Sequence, residues 1–69
     1  MNYTLEKMKA VFENLGYFVF IEEGEHYPYI GVCKDVYSDA IAYFSERDTQ
    51  IDTFKNAVKL IEETKGGQN

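Results

Sequence analysis

The stretch YFVFIEEGEHYPYIGVC, residues 17–33, decides how this chain folds. Its ends, Tyr17–Ile21 and Tyr29–Cys33, are rich in aromatic and β-branched residues, which suit the pleated surface of a sheet. Between them Glu22–Glu25, with Gly24 inside it, has the chemistry of a turn. Two strands joined this closely run antiparallel. A shorter apolar run, Ala40–Phe44, follows a second turn at Asp35–Asp39 and extends the pair into a three-stranded meander. Pro28 has no amide hydrogen to give to a ladder, so it is expected at the beginning of the middle strand and not within it. Ile41, Phe44, Ile51, Phe54, Val58 and Ile61 could also be strung along one long helix. Asp48 and Thr49 argue against that, because their side chains compete for nearby backbone groups and so favour a helix start over a helix interior.

Helices flank the meander. Leu5, Met8, Val11, Phe12 and Leu15 recur at three-and-four spacing, with Glu6, Lys7, Lys9 and Glu13 on the rest of the circumference. Gly16 follows directly and can take the left-handed conformation that closes a helix. Ile51, Phe54, Ala57, Val58 and Ile61 form the stripe of a second helix. Asp48 or Thr49 is expected to cap it, with Asp52 placed as in a capping box, and Gly66 and Gly67 to stop it. The expected fold is therefore α+β in the order α-β-β-β-α, with both helices on one face of an antiparallel sheet. At 69 residues there is room for one core, so residues 1–64 are expected to form one compact domain and residues 65–69 a frayed polar tail.

Alternation along the strands sorts the side chains into two sets. Carried through all three strands, one parity collects Phe18, Phe20, Ile30, Val32, Ala40, Ala42 and Phe44, which is wholly apolar and is expected to lie under the helices. The other collects Tyr17, Val19, Ile21, Tyr27, Tyr29, Gly31, Cys33, Ile41 and Tyr43, apolar in body and tipped with hydroxyls. If both helices take the first side, the second is uncovered, and a tyrosine-rich apolar patch is a favoured protein interface. The competing arrangement places one helix on each side and leaves the tyrosines as core with wet tips.

Charge is segregated. The charged residues of each helix sum to zero, whereas Glu22–Asp48 holds Glu22, Glu23, Glu25, Asp35, Asp39, Glu46 and Asp48 against Lys34 and Arg47, which accounts for the whole formal charge of −5. A negative field around tyrosines favours basic partners and disfavours direct nucleic-acid binding, where affinity comes largely from Lys and Arg neutralising phosphates. The residues expected to bind a partner are Tyr27, Tyr29 and Tyr43 as anchors, with Glu22, Glu23, Glu25, Asp35 and Asp39 as a charged rim. The expected role is a non-enzymatic protein-binding module. It would inhibit a basic or nucleic-acid-handling protein, in the manner of a nucleic-acid mimic from a phage or mobile element, or of an antitoxin. The alternative is a homodimer that packs the tyrosine-rich side on its own copy.

Other chemistries find little support. Cys33 alone makes no disulfide, which suits a reducing compartment, and with His26 as the only histidine the soft ligands are too few for a structural zinc site. Cys33 and His26 are an odd number of positions apart on or beside one strand and so point to opposite faces, which disfavours a nucleophilic pair. The glycines are scattered as caps and turns, with no phosphate loop among them. Glu22, Glu23 and Glu25 match no calcium-loop spacing. No catalytic residue, metal or cofactor is expected. The segment MNYTLEKMKA lacks the apolar core of a signal peptide and the run Leu15–Ile21 is too short to span a membrane, so a cytoplasmic location is expected.

The segment DTQIDTFKNAVKLIEE, residues 48–63, follows an apparent strand and resembles the closing strand and helix of the HicB-type antitoxin fold. That resemblance implies an acidic protein that neutralises a small basic toxin. It covers about a quarter of the chain. The turn signature before that helix, an appended DNA-binding segment and the family's usual start at a strand are all missing, so the chain is not assigned to that family.

Overall fold

A computed structural model describes residues 2–66 and shows α1 (Leu5–Asn14), β1 (Phe18–Glu22), β2 (Tyr29–Cys33), β3 (Ala40–Phe44) and α2 (Ile51–Gly66). The strands form one antiparallel sheet in the order β1-β2-β3. This is the expected α-β-β-β-α order, and residues 40–44 are strand. Pro28 immediately precedes the central strand β2, where its missing donor costs no ladder bond. Of the expected tail, Lys65 and Gly66 are the last residues of α2, and residues 67–69, with the expected stop at Gly67, lie outside the described residues.

Both ends of α1 are closed by side chains and backbone. The Thr4 hydroxyl accepts from the Lys7 N–H at 3.1 Å, and the Glu46 carboxylate accepts from the Leu5 N–H at 2.9 Å, a favourable place for an anion at the positive end of a helix. At the other end Gly16 adopts φ +97°. Its N–H bonds to the Glu13 carbonyl at 3.0 Å, and the Tyr17 N–H bonds to the Phe12 carbonyl at 3.0 Å. This is a Schellman closure, and its usual apolar contact is present, since the Phe12 and Tyr17 rings meet edge-on with centroids 5.7 Å apart.

The start of α2 departs from expectation. Asp48 and Thr49 do not cap it: the Asp48 carboxylate accepts from the Tyr27 hydroxyl, and the Thr49 hydroxyl accepts from the Ser45 N–H at 3.4 Å. The first bond ties the 45–50 loop to the 23–28 connection and the second closes the loop on its own first residue, and the helix begins after Gln50, whose carbonyl accepts from the Phe54 N–H at 2.8 Å.

One core lies between the helices and the sheet. Leu5, Met8 and Phe12 from α1 and Phe54 from α2 meet Tyr17, Val19, Ile30, Val32 and Phe44 in a single cluster. Phe12 stacks on Phe44 at 5.5 Å, and Phe54 stands edge-on to both, at 5.5 and 5.3 Å. Because the two helices share the same sheet residues, both lie on one side, and among the described residues no helix covers the other.

The membership of the sides needs correction in β1. Val19 pairs with Val32 and Ile21 with Ile30, so these odd positions face the helices, whereas Phe18 pairs with Cys33 and Phe20 with Gly31 on the uncovered side. Directly opposed residues of an antiparallel pair share a face. Phe18 and Phe20 are therefore not under the helices. Val19 is core, Ile21 lies on the helix side, and Tyr17 is buried, its hydroxyl donating to the Glu62 carboxylate at 2.5 Å. Glycine at 31 makes room for this register, because a Cβ there would sit 2.2 Å from the tip of the Phe20 ring. In β3 the expected assignment holds for Ala42 and Phe44, which pair with Val32 and Ile30, but Ala40 pairs with Cys33 and Ile41 is an extra residue at a β-bulge.

Candidate functional site

The uncovered side of the sheet carries Phe18, Phe20, Tyr29, Gly31, Cys33, Ile41 and Tyr43. Phe18 is 41%, Ile41 54% and Tyr43 61% exposed, which is a large apolar surface for so small a protein. Phe20 lies across Gly31, and Cys33 is buried. Tyr29 and Tyr43 meet edge-on with ring centroids 5.6 Å apart.

At the end of the sheet where β2 begins and β3 ends, this side runs into a groove of about 340 Å³ lined by Tyr27, Tyr29, Tyr43, Phe44, Ser45, Asp48 and Thr49. All three tyrosines singled out from sequence thus meet in one place. Tyr27 donates to the Asp48 carboxylate, and that hydrogen bond, ahead of burial and the nearby negative charge, raises the phenol above its ordinary pKa. The Arg47 guanidinium lies 5.4 Å from the centre of the Tyr27 ring, within cation–π range. The loop beneath is held by the Asp48 N–H donating to the Ser45 hydroxyl at 3.0 Å. Gly24 permits the approach of the β1–β2 connection, since a Cβ there would fall 2.2 Å from the Tyr27 carbonyl oxygen and 3.1 Å from the Tyr29 ring.

The acids do not form one rim. Glu22, Glu23 and Glu25 are exposed at the groove end, in and after β1. Asp35 and Asp39 are exposed in the 34–39 connection, across the length of β2 and so on the order of 15 Å away. Asp35 also braces its own turn by accepting from the Ser38 hydroxyl and the Tyr37 N–H, both at 2.9 Å, and these bonds hold its carboxyl below the ordinary aspartate range. Asp48 and Glu46 stand at the groove end as well, but Glu46 is engaged at the start of α1.

Sequence reasoning missed Phe18 and Phe20 on this side, and it missed the far-end tip, where Val36 is 58% and Tyr37 96% exposed. The tip carried a usable signal, an Asp–Val–Tyr–Ser turn with two large apolar residues where turns are normally polar. His26 is exposed in the 23–28 connection, while Cys33 closes the opposite end of β2, so the structure does not bring them together. Among the described residues there is no group of three His, Cys, Asp or Glu arranged to hold a metal ion, and no helix long and apolar enough to cross a membrane. Compared with protein-family models, with curated proteins and with solved structures, the chain matches none.

Proposed function

We propose that this chain is a small acidic protein-binding module of the inhibitor type, which presents the uncovered aromatic side of its sheet to a basic protein such as one that handles nucleic acid. What supports the reading is the placement of both helices on one side, leaving Phe18, Tyr29, Ile41 and Tyr43 uncovered between acids at either end of the sheet. An aromatic centre bordered by charge is the usual anatomy of a protein interface. The field of a chain with formal charge −5 attracts a basic surface and repels phosphate backbones.

The test uses the whole protein as bait at low and high salt, beside a Phe18→Ser/Tyr43→Ala variant and a Glu22→Lys/Glu23→Lys/Glu25→Lys variant. A basic protein retained by the wild type at low salt should be lost from the first variant. It should associate with the second about tenfold more slowly at low salt, with a shallower salt dependence. Partners held equally well by all three baits would refute the reading.

A second reading, self-association through the same side, is favoured by the exposed Phe18, Ile41 and Tyr43 and opposed by the −5 charge that each copy would bring. It requires a thermal midpoint that falls over about a hundredfold dilution.

A further inference from the structure

We propose that the groove between Tyr27, Tyr29 and Tyr43 receives an arginine side chain of the basic partner, its guanidinium lying against the tyrosine rings and paired with the Asp48 carboxylate. This rests on the reading above and specifies how the partner is held. Three phenol rings line one groove with one carboxylate, and the neighbouring cation, Arg47, lies over the Tyr27 ring in a separate hollow lined by Tyr27, Pro28 and Glu46 and does not line this groove. The faces of such rings are electron-rich and attract cations within about 6 Å of the centroid. The protein already makes this contact once, with Arg47 stacked 5.4 Å from the Tyr27 ring centre, so a guanidinium is compatible with the local field. Tyr29 and Tyr43, set edge-on to one another, hold a ring face and a ring edge at fixed angles beside it.

Arginine fits better than lysine on two grounds. Its planar head stacks on rings and pairs with a carboxylate in a fork, whereas an ammonium is a compact, strongly hydrated point charge that gains less from an open aromatic wall. Asp48 spends one acceptor site on the Tyr27 hydroxyl, and an ionised carboxylate has about four, so it can still accept a two-pronged donor. Its position is fixed from behind by its own N–H on the Ser45 hydroxyl. Exposed Glu22, Glu23 and Glu25 at the same end add attraction without lining the groove.

The experiment is an NMR titration of the intact protein with N-acetyl-arginine amide, read at the tyrosine ring signals. Parallel titrations use the neutral isostere N-acetyl-citrulline amide and N-acetyl-lysine amide. Saturable shifts are expected at Tyr27, Tyr29 and Tyr43 and not at Tyr37, with affinity in the millimolar range and at least about tenfold weaker binding of the citrulline compound. Tyr43→Ala, which removes an exposed ring, should abolish saturation while leaving the thermal midpoint within a few degrees of wild type. Absence of saturable shifts, equal binding of citrulline, or lysine binding as tightly as arginine would each overturn the assignment. Such a failure would leave the salt-sensitive capture of a basic protein standing, because charge reversal at Glu22, Glu23 and Glu25 tests that reading without touching the groove.

Discussion

The two connections of the meander are equally long, 23–28 and 34–39, yet they act on the sheet in opposite ways. The first joins Glu22 to Tyr29 as a pair, so an even position meets an odd one and the alternation of β1 is reversed relative to β2. The second begins in the same manner, pairing Cys33 with Ala40, but Ile41 is then passed over and Val32 pairs with Ala42. That extra residue cancels the reversal, and β3 keeps the phase of β2. Alternation within a strand therefore says which residues share a side, while the connections and bulges decide which side that is.

The contrast can be broken most sharply at adjacent residues of β3. Phe44 is buried between Phe12 and Phe54, and Phe44→Ala should cost about 3–5 kcal/mol, enough to abolish a cooperative urea transition in a domain of this size. Tyr43→Ala, on the uncovered side, should cost less than about 1 kcal/mol. Similar losses at the two positions would mean that both sides are packed.

A smaller effect is expected at Tyr17, which the reversed phase of β1 places in the core. Burial first, and then its hydrogen bond to Glu62 and the charge beside it, push its pKa up to about 12. Because the folded value lies above the unfolded one near 10, the stabilisation is complete below about pH 10. It is lost as pH rises from about 10 to about 12, by on the order of 2 kcal/mol. Urea midpoints should fall over that window, and Tyr17→Phe should flatten the fall. An unchanged slope in the variant would place Tyr17 outside the core.

The smallest effect tests the bulge. Deleting Ile41 makes Cys33–Ala40 and Val32–Ala42 consecutive pairs with Phe44 still inside, so the protein should fold with a loss below about 1 kcal/mol. Failure to fold would show that the bulge does more than restore the phase.

Much of the architecture was legible because local chemistry carried it. Gly16 is where α1 closes, Pro28 stands at the mouth of the central strand, and the apolar runs 29–33 and 40–44 are the strands. The phase of β1 was not legible, because it depends on Glu22 pairing with Tyr29, a register that no single strand encodes. The start of α2 misled for a related reason: Asp48 and Thr49 are good caps by type, but Tyr27 and Ser45 engage their side chains from a distant and a nearby position. At the candidate site the three tyrosines were identifiable by type and do meet. The acids were read as one group by their proximity in sequence, and the length of the sheet divides them.

The bulge at Ile41 has a further consequence, because β3 is an edge strand. An edge offers a row of free amide and carbonyl groups on which another chain can build, and an apolar edge beside an aromatic surface invites strand-upon-strand growth. An extra residue one position into that edge twists it and breaks the regular spacing of its outward groups. The residue that is passed over in the ladder, leaving Phe44 opposite Ile30, thus also makes the edge a poor seed for a fibril.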